Sequence, residues 1–375
     1  MNHHLAPLPV TLEDPAAILD DLEAAIAGRY SFLPVPAGDR ARATMLANSQ
    51  RVGEDIDDDV ALVMCTSGST GVPKGAMLTA VNLVASADAT HQALGGPGQW
   101  LLAMPAHHIA GMQVLVRSLV AGVDPLCLDL RGGFNVQDFA RAAAELARTG
   151  DRAYTALTPM QLAKAMDSLA GIEALRGFDA VLVGGAAINP QLAESAAKLD
   201  IEVVATYGSS ETSGGCVYDG RPIPGARVRL DGERILLGGP MVARGYRNPV
   251  PDAFKDGWFR TSDAGAFSGG LLRVTGRLDA VIDSGGLKLH PEVLEAEMLK
   301  VAGVDEACVT WMPHPRLGQA IVAAYTGWAS VTDIVVGLED AGVPRWQVPK
   351  ELRRLGEMPL AGPGKIDREA VRALF

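Results

Sequence analysis

From Val60 to Thr206 the chain repeats one pattern, a short apolar run followed by a longer Ala/Leu-rich stretch with apolar residues at helical spacing. The runs Ala61 to Met64, Trp100 to Met104, Ala180 to Val183 and Val203 to Thr206 read as strands, and Gln137 to Ala147 reads as a helix between them. Strands without a polar face must be covered on both sides. The alternation therefore predicts an α/β fold, a large N-terminal domain of helix-covered β-sheet. The stretch before it, to about Arg51, reads as helix and loop with a structural role, its helix running from Pro15 to Ile26 after Asp14-Pro15.

Beyond Arg221 the texture changes to Gly/Pro-rich turns between the short strands Val228 to Leu230, Arg234 to Leu237 and Leu271 to Thr275, which predicts a small β subdomain. A third texture begins near Asp279. There a helix from Pro291 to Val301 precedes strands Ala307 to Trp311 and Ile321 to Tyr325, the pattern of a small α+β domain. A chain of 375 residues and 39.3 kDa has room for two unequal domains, placed at 1–277 and 278–375.

A formal net charge of -11 opposes a nucleic-acid partner, so an anionic substrate needs local cations and backbone N–H groups. Cys65, Cys127, Cys216 and Cys308 are widely separated and suggest neither a disulfide framework nor a zinc site. Met1 to Pro9 lacks a basic segment followed by an apolar one, and no apolar run reaches the roughly 18 residues of a membrane span. A cytoplasmic protein is expected.

The segment Thr66-Ser67-Gly68-Ser69-Thr70-Gly71-Val72-Pro73-Lys74-Gly75 brings hydroxyls, turn-forming glycines and one cation together after an apolar strand. These are the parts of a phosphate-binding loop. Pro73 before Lys74 and Gly75 after it break the Walker pattern. A Gly/Ser linker is the plain alternative. It is opposed by the buried strand Val60 to Cys65 on one side and the amphipathic Met77 to Val84 on the other.

The loop resembles the signature loop of the adenylate-forming superfamily, which comprises acyl-CoA synthetases, peptide-synthetase adenylation domains and luciferases. Further segments resemble that family's motifs in the same order, over nearly the whole chain from about Pro9. The resemblance assigns Thr66, Ser67, Gly68, Ser69, Thr70 and Lys74 to the ATP phosphates. It places His108, in Pro105-Ala106-His107-His108-Ile109-Ala110-Gly111, at the acid pocket. A lone histidine is commonly a packing residue, and adjacent His107 and His108 are expected to point different ways, which argues against a metal site.

Gly184, Gly185 and Ala186 are implied to cradle the nucleotide. In Tyr207-Gly208-Ser209-Ser210-Glu211-Thr212 the resemblance implies Tyr207, Gly208 and Thr212 at ATP, Ser209 at the acid, and Glu211 as the Mg²⁺ ligand. A helix cap is the plain reading of the same residues. Asp263, in Trp258-Phe259-Arg260-Thr261-Ser262-Asp263, is implied to hold the ribose, with Arg277 facing the nucleotide and Asp279 as a hinge.

Ser284 to Glu295 resembles the mobile loop and helix that serve thioester formation, which puts Gly286 and Lys288 at CoA. Many relatives carry Gly-Glu-Asn-Ile where this chain has Gly286-Leu287-Lys288-Leu289, a departure that bears on Lys288. Gly362-Pro363-Gly364-Lys365-Ile366-Asp367-Arg368 resembles the family's terminus and makes Lys365 the catalytic cation at the carboxylate and α-phosphate.

The implied enzyme is an ATP-dependent acid-thiol ligase that uses Mg²⁺ and CoA and forms an acyl-adenylate. Thr158 to Leu162 and Thr206 to Gly225 resemble the branch acting on an aromatic dianion. Gln161 and, one helical turn on, Lys164 are then the expected acid contacts, Lys164 for the second carboxylate; a surface lysine is the competing reading. Another aryl or medium-chain acid, or a carrier protein in place of CoA, stays open. Far fewer residues precede the loop than in typical members, so the early N-terminal subdomain is trimmed and a homodimer contact is one way to compensate.

Overall fold

The structure is a computed structural model that describes residues 3–66, 73–362 and 364–375. Contacts divide the chain into two compact units: Met1–Ile188, Ser195–Arg229 and Leu236–Arg260 in the first, and Asn189–Glu194, Leu230–Ile235 and Thr261–Phe375 in the second.

The first unit holds two sheets. In the seven-stranded one the order is Arg221–Pro222, Gly214–Tyr218, Val203–Ser209, Ala180–Val183, Ala153–Leu157, Gln99–Leu102, Leu126–Cys127. From Val203–Ser209 to Leu126–Cys127 every neighbour is parallel. Parallel neighbours need crossovers, supplied by helices such as Ile109–Ala121, Val136–Leu146 and Pro159–Met166. Burial follows. All residues of Ala153–Leu157 and Ala180–Val183 are buried, which is why Ala180–Val183 reads as a continuous apolar run; Ala153–Leu157, which includes Thr155, was not read as a strand.

The six-stranded sheet has the order Gly245–Tyr246, Lys74–Thr79, Val60–Thr66, Ser31–Pro36, His3–Val10, Asp55–Ile56. Its members correct the reading of the N-terminal stretch as helix and loop. His3–Val10 and Ser31–Pro36 are paired parallel strands, and Arg40–Ser49 is a further helix. The strands escaped notice because Pro7, Pro9, Pro34 and Pro36 signal breaks, whereas proline is tolerated wherever a strand N–H faces away from the ladder. Leu5, Leu33, Val35 and Leu46 form one buried cluster with Val60 and Val63. The segment is part of the core.

In the second unit a sheet ordered Leu287–Leu289, Ile282–Ser284, Gly318–Gly327, Val304–His314, with Glu351–Arg354 along Gly318–Gly327, packs against the helices Pro291–Met298 and Val331–Asp340. The chain's end forms a small pair, Leu360–Gly362 with Lys365–Ile366. The strands expected between Arg221 and Thr275 are present as Arg227–Asp231, Arg234–Gly238 and Leu271–Arg277. Among the described residues no helix is long and apolar enough to cross a membrane.

Because Leu33 is fully buried, Leu33→Ala should cost about 2–5 kcal/mol in urea unfolding. Val81→Ala, on the exposed face of Ala80–Ala93, should stay within about 0.5 kcal/mol. Equal, small effects would return the N-terminal strands to an accessory role.

Candidate active site

Four of the five parallel strands of the seven-stranded sheet, all but Leu126–Cys127, lead into a segment singled out from the sequence. Gln99–Leu102 leads to His107 and His108, Ala153–Leu157 to Gln161, Ala180–Val183 to Gly184, Gly185 and Ala186, and Val203–Ser209 to Ser210, Glu211 and Thr212. In an open parallel sheet the carboxyl ends of the strands are where ligands bind. The spacing of the motifs along the chain is thus the spacing of strands across one edge.

Close packing explains the glycines there. A Cβ on Gly184 would lie 2.3 Å from Thr206 Oγ1, and one on Gly208 would lie 2.2 Å from the Gly214 carbonyl oxygen. Gly185 has φ +86°, which side chains disfavour. Ala186 is exposed, and Tyr207 and Ser209 are half-buried. Ser210–Thr212 is a single 3-10 turn, in which Thr212 Oγ1 accepts from Ser209 N at 3.0 Å and donates to the Gly214 carbonyl at 2.8 Å. That turn presents Glu211.

The strands that flank the phosphate-loop segment, Val60–Thr66 and Lys74–Thr79, pair antiparallel, with Thr66 opposite Lys74. Thr66 Oγ1 donates to the Lys74 carbonyl at 3.4 Å. Ser67, Gly68, Ser69 and Thr70 lie outside the described residues. One end of this strand pair is held by Gln50, whose Nε2 donates to the Pro73 carbonyl at 2.7 Å. A side chain at position 75 would meet Gln50 Oε1 at 2.1 Å, so Gly75 serves packing as much as turning.

Three side chains of the first unit form a connected group. Tyr246 OH donates to Glu211 Oε1 at 2.5 Å, and Lys74 Nζ lies 5.6 Å from the centre of the Tyr246 ring. The Gly245–Tyr246 strand pairs with Lys74–Thr79, placing Tyr246 opposite Ala76. Burial raises the Tyr246 pKa first and the Glu211 charge raises it further, so the hydroxyl keeps its proton and donates. Tyr246 was not legible as a site residue: the two-residue strand that carries it has no periodicity.

His108 is the N-cap of Ile109–Ala121, and the His107 and His108 rings lie side by side with centroids 4.3 Å apart. They do not point different ways as expected. Even so, no cluster of three or more metal-binding side chains exists among the described residues. Burial, then the Arg42 charge, lowers the His108 pKa to about 4; burial, then His108 and Arg42, lowers that of His107 to about 3. Both are neutral near pH 7.

The helix Ile109–Ala121 also carries what sequence reasoning missed. Gln113 and Arg117 sit one helical turn apart in an otherwise apolar helix, a signal present in the sequence. Arg117 is 3% exposed, its guanidinium lies 4.9 Å from the centre of the Trp100 ring, and its Nε is buried without a hydrogen-bond partner among the described residues. Both side-chain polar atoms of Gln113 are buried without partners among the described residues. A Cβ on Gly214 would be 3.4 Å from Gln113 Cγ, so this polar stripe lies beneath the Glu211 turn.

Gln161 and Lys164 are engaged elsewhere. Gln161 Oε1 accepts from Thr158 N at 2.9 Å and its Nε2 donates to the Ala103 carbonyl at 2.7 Å, capping its own helix. Lys164, exposed, donates to the Phe134 carbonyl at 2.7 Å. The four cysteines are free, and burial pushes each thiol up to about 12.

The second unit carries the remaining residues. Asp263 pairs with Arg277 across the hairpin Trp258–Ser268/Leu271–Arg277, and Arg277 Nη1 lies 3.4 Å from Asp263 Oδ1. Arg277 also binds Asp279 through both oxygens, at 2.8 and 2.6 Å. Gly286 is the second residue of a two-residue turn between Ile282–Ser284 and Leu287–Leu289; with φ +65° at Gly285 and +86° at Gly286 it follows the primed hairpin geometry. Lys288, exposed, stands opposite Asp283. Lys365 is exposed on the last strand, and Arg368 beyond it donates to the half-buried Glu295 and to the Val309 carbonyl.

A family model described as "AMP-binding enzyme" matches residues 13–247. A probable 2-succinylbenzoate–CoA ligase of Mycobacterium tuberculosis is 47% identical over 340 residues, covering 88% of this chain and 88% of its own length. A 2-succinylbenzoate–CoA ligase of Geobacillus sp. is 29% identical over 350 residues, covering 85% of this chain and 70% of its own length. Among solved structures, o-succinylbenzoate CoA synthetase from Bacillus subtilis in complex with its acyl-adenylate superposes with TM-score 0.84 at 19% identity, covering 99% of this chain and 88% of that one. ATP-bound MatB from Rhodopseudomonas palustris gives TM-score 0.84 at 20% identity, covering 100% and 89%. The fold is that of the adenylate-forming enzymes.

A neutral folded histidine opposes protonation that the unfolded chain accepts near pH 6.5, so stability is present above that value and is lost as pH falls toward about 4. His108→Gln should flatten this loss by up to about 1.4 kcal/mol per pH unit in urea unfolding between about pH 7 and 4.5. An unchanged slope would mean that His108 titrates normally.

Proposed function

The chain belongs to the AMP-binding enzyme family and is an AMP-forming acid–CoA ligase, and from that premise we propose that its acid is 2-succinylbenzoate. The reaction joins 2-succinylbenzoate and CoA at the expense of ATP, through an acyl-adenylate, with AMP and pyrophosphate released. The 47% identity over 88% of both chains to the mycobacterial ligase carries this reading.

A carboxylate oxygen attacks the α-phosphorus and pyrophosphate leaves. The CoA sulfur, having lost its proton, then attacks the acyl carbon and AMP leaves. No protein nucleophile is needed, which agrees with thiols that burial keeps protonated. The protein's work is to align the reactants and to counter phosphate charge. Thr66 and Lys74, with Ser67, Gly68, Ser69 and Thr70 between them, hold the β- and γ-phosphates. Gly184, Gly185, Ala186, Tyr207, Gly208 and Thr212 receive the base, where backbone without side chains permits close approach. Asp263 accepts from the ribose hydroxyls and Arg277 faces the nucleotide.

Glu211 fits a hard cation. It is a buried carboxylate with one oxygen held by Tyr246 OH and no described donor on the other, and Mg²⁺ binds through one or two carboxylates together with phosphate oxygens. A Mg²⁺ held by Glu211 would offset phosphate charge.

The acid's reacting carboxylate lies by His108 and Ser209. Its second carboxylate calls for a cation away from ATP. Arg117 suits that role better than Lys164, because a buried guanidinium without an acidic partner is destabilising until an anion meets it. Gln113 supplies a neighbouring donor. In the second unit Lys365 serves adenylate formation, and the hairpin turn at Gly286, with Lys288, serves CoA, the two exchanged by rotation at Asp279.

Pyrophosphate exchange across an acid panel tests the substrate: 2-succinylbenzoate should exceed benzoate and medium-chain acids, and a flat response refutes it. Arg117→Met should raise KM for 2-succinylbenzoate about 10–100-fold with KM for ATP within about twofold. Lys365→Ala should abolish adenylate formation yet leave thioester formation from presynthesised adenylate largely intact. Equal loss of both half-reactions contradicts the exchange.

A further inference from the structure

We propose that Tyr246 is a positioning residue that holds the cation-binding carboxylate and the phosphate-binding lysine in one arrangement, so that metal discrimination in ATP binding depends on its hydroxyl. This rests on the reading of Glu211 and Lys74 given above. Glu211 is 5% exposed, and a carboxylate so enclosed is aimed by whatever donates to it. Among the described residues the only side-chain donor to it is Tyr246 OH, on Oε1 at 2.5 Å, which leaves Oε2 directed by that single bond. The peptide of Glu211 is fixed separately, its carbonyl accepting from Ala243 N at 2.8 Å, so the bond to Tyr246 governs the side chain alone.

The ring is itself fixed on two sides. Phe254 meets it edge-on with centroids 5.1 Å apart, and the pairing of Tyr246 with Ala76 ties its backbone to the strand that begins at Lys74. The ammonium of Lys74 lies 5.6 Å from the ring centre, within the range of a cation–π contact. One side chain thereby touches both charges with different chemistry, the hydroxyl for Glu211 and the ring face for Lys74. The two functions separate by substitution. Tyr246→Phe removes the hydroxyl and keeps the ring; Tyr246→Leu removes both.

The full chain is examined by calorimetry with ATP in the presence of a chelator, and by the paramagnetic resonance of free Mn²⁺ titrated into the enzyme with saturating ATP. Tyr246→Phe should bind metal-free ATP within about twofold of wild type and bind Mn²⁺ about tenfold more weakly. Tyr246→Leu should lose affinity for metal-free ATP as well. Equal weakening of both ligands in Tyr246→Phe would make the residue merely structural, and no change in either would remove it from the site; both overturn the proposal. Tyr246→Phe keeps the ring's packing, so it decides alone if the leucine variant does not fold. Wild type that binds Mn²⁺ no better with ATP than without would instead bring down the assignment of Glu211, and the proposal with it.

Discussion

A parallel sheet with both faces covered leaves only one place for chemistry. Strands such as Ala153–Leu157 and Ala180–Val183 are buried along their whole length, so a ligand can reach them only where strands end. In this chain that edge gathers His108, Gln161, Gly184, Tyr207 and Glu211, which are dispersed along the sequence. The glycines at the edge follow from the same crowding: Gly184 and Gly208 press on Thr206 and on the Gly214 carbonyl, leaving backbone where a planar ligand can lie. Sheet formation therefore precedes the site in the physical order of causes, and a core defect in either sheet of the first unit must reach the chemistry through these strand ends.

Burial also explains how a chain of net charge -11 handles anions. Long-range attraction is the wrong sign, so binding has to come from groups removed from bulk screening. In the proposed function Arg117, buried against Trp100, would be such a group, and Lys74, half-buried beside Tyr246, a partly screened one. A buried cation with no acidic partner is costly on its own, and the cost is recovered when a carboxylate or phosphate enters. Neutral His107 and His108 fit this pattern. Charged, they would add repulsion to Arg42; neutral, they offer a hydrogen bond without competing for the anion.

Of the seven-stranded sheet, Gln99–Leu102, Ala180–Val183 and Val203–Ser209 were legible as apolar runs, whereas Ala153–Leu157, interrupted by Tyr154 and Thr155, and the short strands Leu126–Cys127, Gly214–Tyr218 and Arg221–Pro222 were not. The N-terminal strands were hidden by their prolines, which local rules read as breaks although partner strands accommodate them. Tyr246 was hidden for another reason. Its place depends on pairing with a strand far away in sequence, and nothing local to Gly245–Tyr246 encodes that partner. Arg117 was different again: a charge in an apolar helix was visible, while Lys164 drew attention through its nearness to a motif, although its exposed amine is satisfied by the Phe134 carbonyl.

The second unit shows how a terminal lysine on an exposed strand can still be placed with precision. Arg368, three residues on from Lys365, is clamped by Glu295 and lies 3.4 Å from Glu292 Oε1, both on the helix Pro291–Met298. Glu292 Oε2 in turn accepts from Arg277 N at 3.3 Å. Glu292 thus links the strand end before Asp279 to the segment that carries Lys365. Residues 277 and 292 lie on opposite sides of Asp279 in sequence, so the rotation proposed above would break the Arg277–Glu292 bond, whereas the Arg368–Glu295 clamp, wholly beyond it, would survive. Long and exposed to solvent, the Arg277–Glu292 bond contributes little, so in the proposed exchange ligand binding can overcome it.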